Sequence, residues 1–158
     1  AERIGPFVIT PESAVSLQFM ELEDSDLLYS WQCQLGARRF SRNSDIPDPA
    51  EHNTWFRAAI ENPDRALYMV IKGENPVGML RLDRYKDGPR KFEISILIDK
   101  AHHGQGIAAN ALAFIRKLEP SAHFIAEVLP ENKASERLFL KSGFAKIGET
   151  FFEQKGAV

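Results

Sequence analysis

Two glycines one residue apart stand in the run His103-Gly104-Gln105-Gly106-Ile107-Ala108-Ala109, and their surroundings suit the binding of an anion. Ahead of the run, Phe92, Ile94, Ile96 and Ile98 alternate with Glu93, Ser95, Leu97 and Asp99, the two-residue period of a strand with one apolar face. Behind it, Ala108, Ala111, Leu112, Ile115 and Leu118 recur at three and four residues and form one stripe of a helix. Glycines at such a handover let the backbone turn sharply and approach a ligand with no Cβ between them. The first turn of the helix has N–H groups without an intrahelical partner, and the peptide dipoles add partial positive charge there. A diphosphate is the expected guest. Two familiar glycine loops do not fit. Ile107-Ala108 is not the Lys-Ser/Thr ending of a Walker loop, and Ala109 and Asn110 deny the third glycine of a dinucleotide fingerprint.

The stretch resembles the acetyl-CoA loop of the GNAT acetyltransferase superfamily, whose pattern is Gln/Arg-x-x-Gly-x-Gly/Ala after a strand that ends in an apolar-Asp turn. Ile98-Asp99 matches the strand exit, and Gly106 and Ala108 match the two small positions, while His103 stands where the family has Gln or Arg. Further on, Asn132, Ser135, Leu138, Phe139, Lys141, Gly143 and Phe144 resemble the family's closing helix, Asn-x-x-Ala/Ser-x-x-Leu-Tyr-x-Lys-x-Gly-Phe. Physics agrees with that ending, because Gly143 suits a left-handed C-cap and Lys141 the negative end of the dipole. The resemblance implies an acetyl-CoA-dependent N-acetyltransferase. It also implies a GNAT fold of the α/β (α+β) class: a central mixed, mostly antiparallel sheet of six to seven strands with about four helices on both faces.

Attack of an amine on a thioester sets three tasks, and the resemblance assigns residues to each. Glu93 is the candidate base, on the strand face of Ser95 and Leu97 where the resemblance puts the acceptor; the alternative is a solvated carboxylate paired with a neighbouring cation. The backbone N–H of Leu97 or Ile98 is the candidate donor to the oxyanion and cofactor arm, since the family's central strand parts from its neighbour near its end. For thiol release many relatives use a Tyr where this chain has Phe139. A thiol of ordinary pKa near ~8.5 leaves as thiolate at a cost of only about 2 kcal/mol near neutral pH. Water or Ser135 is then the expected proton donor. Cofactor contacts are expected from Leu97, Ile98, His103, Gly104, Gln105, Gly106, Ile107, Ala108, Ala109 and Asn132. His103 either reaches the phosphates or points to solvent, and Asn132 either holds the cofactor arm or caps its helix.

The acceptor is the less determined half. Arg38, Arg39, Arg42, His52 and Trp55 combine phosphate-binding cations with a ring able to stack on a base or sugar. With Trp31, Ser44 and the run Glu51-His52-Asn53-Thr54-Trp55-Phe56, this segment resembles bacterial acetyltransferases of nucleotide-linked aminosugars, as in pseudaminic-acid synthesis. A solvated basic loop over a helix with Phe56 in the core is the plainer reading. A protein N-terminal acetyltransferase of the ribosomal-protein type is a second functional reading, and a CoA-binding module without transferase activity a third.

The elements that position these residues follow the same signals. An opening strand is predicted at residues 15 to 22, then a helix capped by Asp24 and ending near Gly36. Asp48-Pro49 with Glu51 starts a second helix, which runs to Asn62-Pro63. Residues 66 to 84 read as a hairpin turning at Gly73-Glu74-Asn75-Pro76, followed by the central strand, the glycine loop, a strand at 122 to 128, the closing helix and a last strand from Phe151. At 158 residues one domain, 1-158, is expected. With 20 basic and 22 acidic residues no general affinity for nucleic acid or membrane is expected, nor any metal, and the assembly is a monomer or homodimer. The single Cys33 and the absence of an apolar leader in residues 1 to 13 point to the cytoplasm.

Overall fold

The computed structural model describes residues 14–34 and 45–157. They form one seven-stranded sheet in the order β1-β2-β3-β4-β5-β7-β6. β1 is Val15–Phe19, shorter than its apolar pattern promised because a 3-10 turn, Leu22–Asp24, follows. Asp24 precedes α1 (Ser25–Gln32), yet its carboxylate accepts no bond from that helix. It accepts instead from the backbone of Glu21 at 2.8 Å and closes the 3-10 turn. α2 is Pro49–Glu61, and here the cap forms as its residues dictate: Asp48 accepts from the Glu51 N–H while the Glu51 carboxylate accepts from the Asp48 N–H.

β2 (Arg65–Lys72) and β3 (Asn75–Arg84) are antiparallel and joined through Gly73-Glu74, with Gly73 at φ 64° in the first turn position. β4 is Lys91–Ile98 and pairs antiparallel with β3 from Arg84↔Phe92 to Gly78↔Ile98. After the loop come α3 (Ile107–Leu118), β5 (His123–Glu127), α4 (Lys133–Lys141), β6 (Ala145–Lys146) and β7 (Phe151–Gln154). β5 lies parallel to β4, and the remaining pairs are antiparallel. The two-residue β6 has no alternation long enough to read from sequence.

Strand alternation sorts the core into two layers. Val70, Leu80, Leu82, Ile94 and Phe124 pack with Ile107, Leu112, Ile115 and Phe139 of α3 and α4. On the opposite face Leu67, Met69 and Met79 pack with Leu28, Trp31, Phe56 and Ala59 of α1 and α2. Each fully buried side chain such as Phe56 or Leu28 contributes about 1.5–3 kcal/mol, so both helix layers are held by apolar burial. By the same alternation Glu93, Ser95 and Leu97 lie on the α1–α2 face, with Asp83 and Arg81 opposite them on β3.

Candidate active site

The central event is a parting of strands. β4 and β5 pair only over Lys91↔His123, Phe92↔Phe124 and Glu93↔Ile125, whereas β4 continues to Ile98 beside β3. The Asp99 N–H donates to the Val77 carbonyl at 2.8 Å, which sets the phase of the β3–β4 ladder. In an antiparallel ladder successive residues turn their N–H and C=O to opposite edges. Leu97 therefore faces β3, consistent with its carbonyl oxygen lying 2.4 Å from where a Cβ on Gly78 would be. Ile96 and Ile98 face the edge that β5 has left. Of the two residues named from sequence, Ile98 turns its N–H to the open edge, whereas the Leu97 amide is directed into the sheet.

The loop that follows is braced by Gln34, two residues beyond α1. Asp99 accepts from Gln34 Nε2 at 2.7 Å and from the Ala101 N–H at 3.2 Å, and Gln34 Oε1 accepts from the Lys100 N–H at 2.9 Å. The Gln34 bond, above all, holds the Asp99 carboxyl below the usual carboxylate range, with burial opposing and the Ala101 N–H and His102 assisting. Gly104 (φ 77°) and Gly106 (φ 74°) lie in the left-handed region, with open space where a Cβ would be. The Asn110 N–H begins the α3 ladder on the Gly106 carbonyl at 3.1 Å. No described protein atom takes the N–H groups of residues 104 to 109, so that turn has donors and room for a diphosphate. Lys72 Nζ, from the end of β2, donates to Gln105 Oε1 at 2.7 Å and adds a cation beside it.

His103 does not complete this ring of donors. Its Nε2 donates to the Ile98 carbonyl at 2.9 Å, folding the imidazole onto the exposed edge of β4. Asn132 is the N-cap of α4 and accepts from the Ser135 N–H at 3.2 Å. Ser135 is half-buried in the first turn of that helix, and Phe139 is core, meeting Phe144 edge-on at 5.0 Å between ring centroids.

Of the acceptor-side expectations, Arg38, Arg39 and Arg42 lie outside the described residues. His52 is 3% exposed, and Nε2 lies 3.0 Å from the Ser25 carbonyl, inside the α1–α2 contact. Its place one turn before Phe56 on the buried stripe of α2 puts it there. Trp55 is half-exposed, and two guanidinium groups lie 5.8 Å from its ring centroid, those of Arg65 and Arg81. Both cations are tied to one carboxylate: Arg65 Nε donates to Asp83 Oδ1 at 2.5 Å and Arg81 Nε to Asp83 Oδ2 at 2.9 Å. Reading the chain by motif missed this trio. The available signal was two charged residues, Arg81 and Asp83, continuing the face that Met79 begins on β3.

Among the described residues no group of three His, Cys, Asp or Glu side chains is placed to hold a metal ion, and no helix is long and apolar enough to cross a membrane.

The family described as "Acetyltransferase (GNAT) domain" matches residues 15–145. YwnH of Bacillus subtilis (strain 168), a protein named for phosphinothricin acetylation, is 24% identical over 142 residues, covering 85% of this chain and 86% of that protein. The ribosomal-protein-serine acetyltransferase of Escherichia coli (strain K12) is 28% identical over 86 residues, 52% of this chain and 48% of that protein. Among solved structures, the aminoglycoside acetyltransferase AAC(6')-Ib in complex with coenzyme A and kanamycin superposes with a TM-score of 0.78 at 16% identity, covering 90% of this chain and 95% of that one. RimL, a ribosomal L7/L12 N-protein acetyltransferase in complex with coenzyme A, gives 0.79 at 14% identity over 94% and 98%.

Proposed function

This chain belongs to the GNAT acetyltransferase domain family, and from that premise we propose that it transfers acetyl from acetyl-CoA to a primary amine, the amino group of a nucleotide-linked aminosugar. The observation that carries the reading is the departure of β5 from β4 after Glu93↔Ile125, beside a turn whose donors at 104 to 109 have no partner among the described residues. The residues fit the cosubstrate: the turn meets a diphosphate, and the Ile96–Ile98 edge of β4 offers a strand for the amide-bearing arm to pair with. Acetyl-CoA supplies an acyl carbon activated as a thioester, so nitrogen–carbon bond formation is matched by carbon–sulfur cleavage.

Within that reading each residue has one task. Glu93 removes the ammonium proton, directly or through one water, from the α1–α2 face. The Ile98 N–H donates to the carbonyl oxygen as negative charge builds on it. Ser135 or water returns a proton to the departing sulfur, Phe139 being unable to. Asn132 orders the start of α4 beside the cofactor arm. Gly104, Gln105, Gly106, Ile107, Ala108 and Ala109 hold the diphosphate through their N–H groups, while His103 shapes the turn by gripping Ile98.

Trp55 supports the acceptor class, since its half-exposed ring offers a surface for a base or sugar on the Glu93 side of the sheet. The lone Cys33, exposed at the end of α1, suits a reducing cytoplasm. Likeness to the ribosomal-protein acetyltransferases keeps a peptide amine as the second reading. Thiol release from acetyl-CoA, followed with UDP-linked aminosugars, aminoglycosides, polyamines and N-terminal peptides, separates them. A nucleotide aminosugar should give the highest kcat/KM. Highest turnover on a peptide would transfer the assignment to the second reading, and CoA binding without turnover on any amine would leave only a binding module.

A further inference from the structure

We propose that Arg65 and Arg81 form an oxyanion-binding subsite for the acceptor, so that the chain selects amines carrying a phosphate or carboxylate group; this rests on the acetyltransferase reading above. Two guanidinium groups converge on a single carboxylate, Asp83, and both engage it through Nε. The Nη atoms of both arginines carry no bond to any described residue, and the side chains remain 29% and 27% exposed. Two guanidinium groups share the one Asp83 carboxylate, so their Nη donors remain, held in fixed geometry by the strand ladder and by Trp55. Guanidinium Nη pairs are suited to bidentate contact with phosphate or carboxylate oxygens.

The position of these donors relative to Glu93 gives the specificity. Asp83 is opposite Glu93 in the β3–β4 register and Arg81 is opposite Ser95, all on one face. Directly opposed residues stand roughly 5 Å apart, and one step along the face is roughly 7 Å. A carboxylate that receives the ammonium and a guanidinium that receives an oxyanion are therefore neighbours. Together they complement an acceptor that bears both charges a few bonds apart. A neutral-bodied amine satisfies only half of the arrangement and leaves the Nη groups desolvated without a partner.

The test is calorimetric and does not depend on turnover. The full chain is saturated with CoA, which occupies the diphosphate turn, and titrated with glucosamine, glucosamine 6-phosphate, UDP-glucosamine and glutamate. Expected is binding of the phosphorylated amines, the carboxylated amine, or both, at least tenfold tighter than glucosamine, with the arms telling which oxyanion is preferred. Arg81→Gln should remove most of that preference; Arg65→Gln, farther from Glu93, should remove part of it, and it serves if Arg81→Gln fails to fold. Equal affinity for charged and neutral amines, or a preference that survives both substitutions in folded protein, would overturn the proposal. Thiol release measured in parallel distinguishes the cases: oxyanion preference without turnover rejects the transferase reading alone, and turnover without preference rejects the subsite alone.

Discussion

Asp83 lies directly opposite Glu93 across the β3–β4 ladder, and both of its carboxylate oxygens are bound by arginine Nε atoms. Asp83 thus anchors two cations on the face where Glu93 is the candidate proton acceptor. Glu93→Gln keeps shape and hydrogen-bonding capacity but removes the base. Turnover should fall by about 10²–10⁴-fold with little change in the affinity for CoA. Asp83→Asn should instead loosen Trp55 and the arginines and raise KM for the acceptor. Unchanged kcat in Glu93→Gln from pH 6 to 9, a range set about a base tuned near neutrality, would place the base elsewhere.

Gly106 has the second test of the diphosphate turn. Its φ of 74° makes a valine there cost about 1–2 kcal/mol of backbone strain, although no described atom lies within 4 Å of the new Cβ. That space is where an incoming phosphate would approach the N–H groups. CoA affinity should therefore drop at least about tenfold, beyond what the small loss of stability accounts for. Calorimetry with CoA decides it, and an unchanged dissociation constant would contradict the location of the turn.

What was legible in the sequence was whatever short-range chemistry dictates. The Asp48-Pro49-Glu51 cap, the hairpin at Gly73 and the strand–glycine–helix handover each depend on residues within a few positions of one another. Asp24 shows the limit: as a cap residue it had two local partners in reach, and the 3-10 turn claimed it. For His52, a helical stripe does not reveal that the Ser25 carbonyl will lie 3.0 Å from its Nε2. The brace of Gln34 on Asp99 and the meeting of Arg65 with Asp83 join residues 65 and 18 positions apart, and no local pattern marks either.

That brace carries a pH signature. The folded state holds Asp99 below the usual range, so its contribution to stability is fully present above the unfolded value of about pH 4 and is lost as pH falls through the lower folded value. Gln34→Ala removes the first of the bonds that lower it. The Asp99 carboxyl should titrate at higher pH, and wild type and variant should differ in Tm at neutral pH while converging as the pH falls through the lowered folded value. Carboxyl NMR titration gives the shift directly. A Tm difference that persists unchanged at low pH would show that Gln34 acts through packing and not through the Asp99 charge.

Gly78 sets how closely the end of β4 can approach β3. A Cβ there would lie 2.4 Å from the Leu97 carbonyl oxygen and 3.1 Å from the Ile98 Cα, both of which are backbone and cannot swing aside. Gly78→Ala must therefore push the last residues of β4 outward, towards the edge that β5 leaves open. Overpacking of this kind costs about 1–3 kcal/mol, seen as a lower midpoint in denaturant. The displacement would also move the Ile98 N–H, so kcat should fall more than in Gly104→Ala, whose new Cβ meets open space and whose strain lies in the turn. Full activity in a folded Gly78→Ala protein would mean that the Ile98 amide has no part in stabilising the oxyanion.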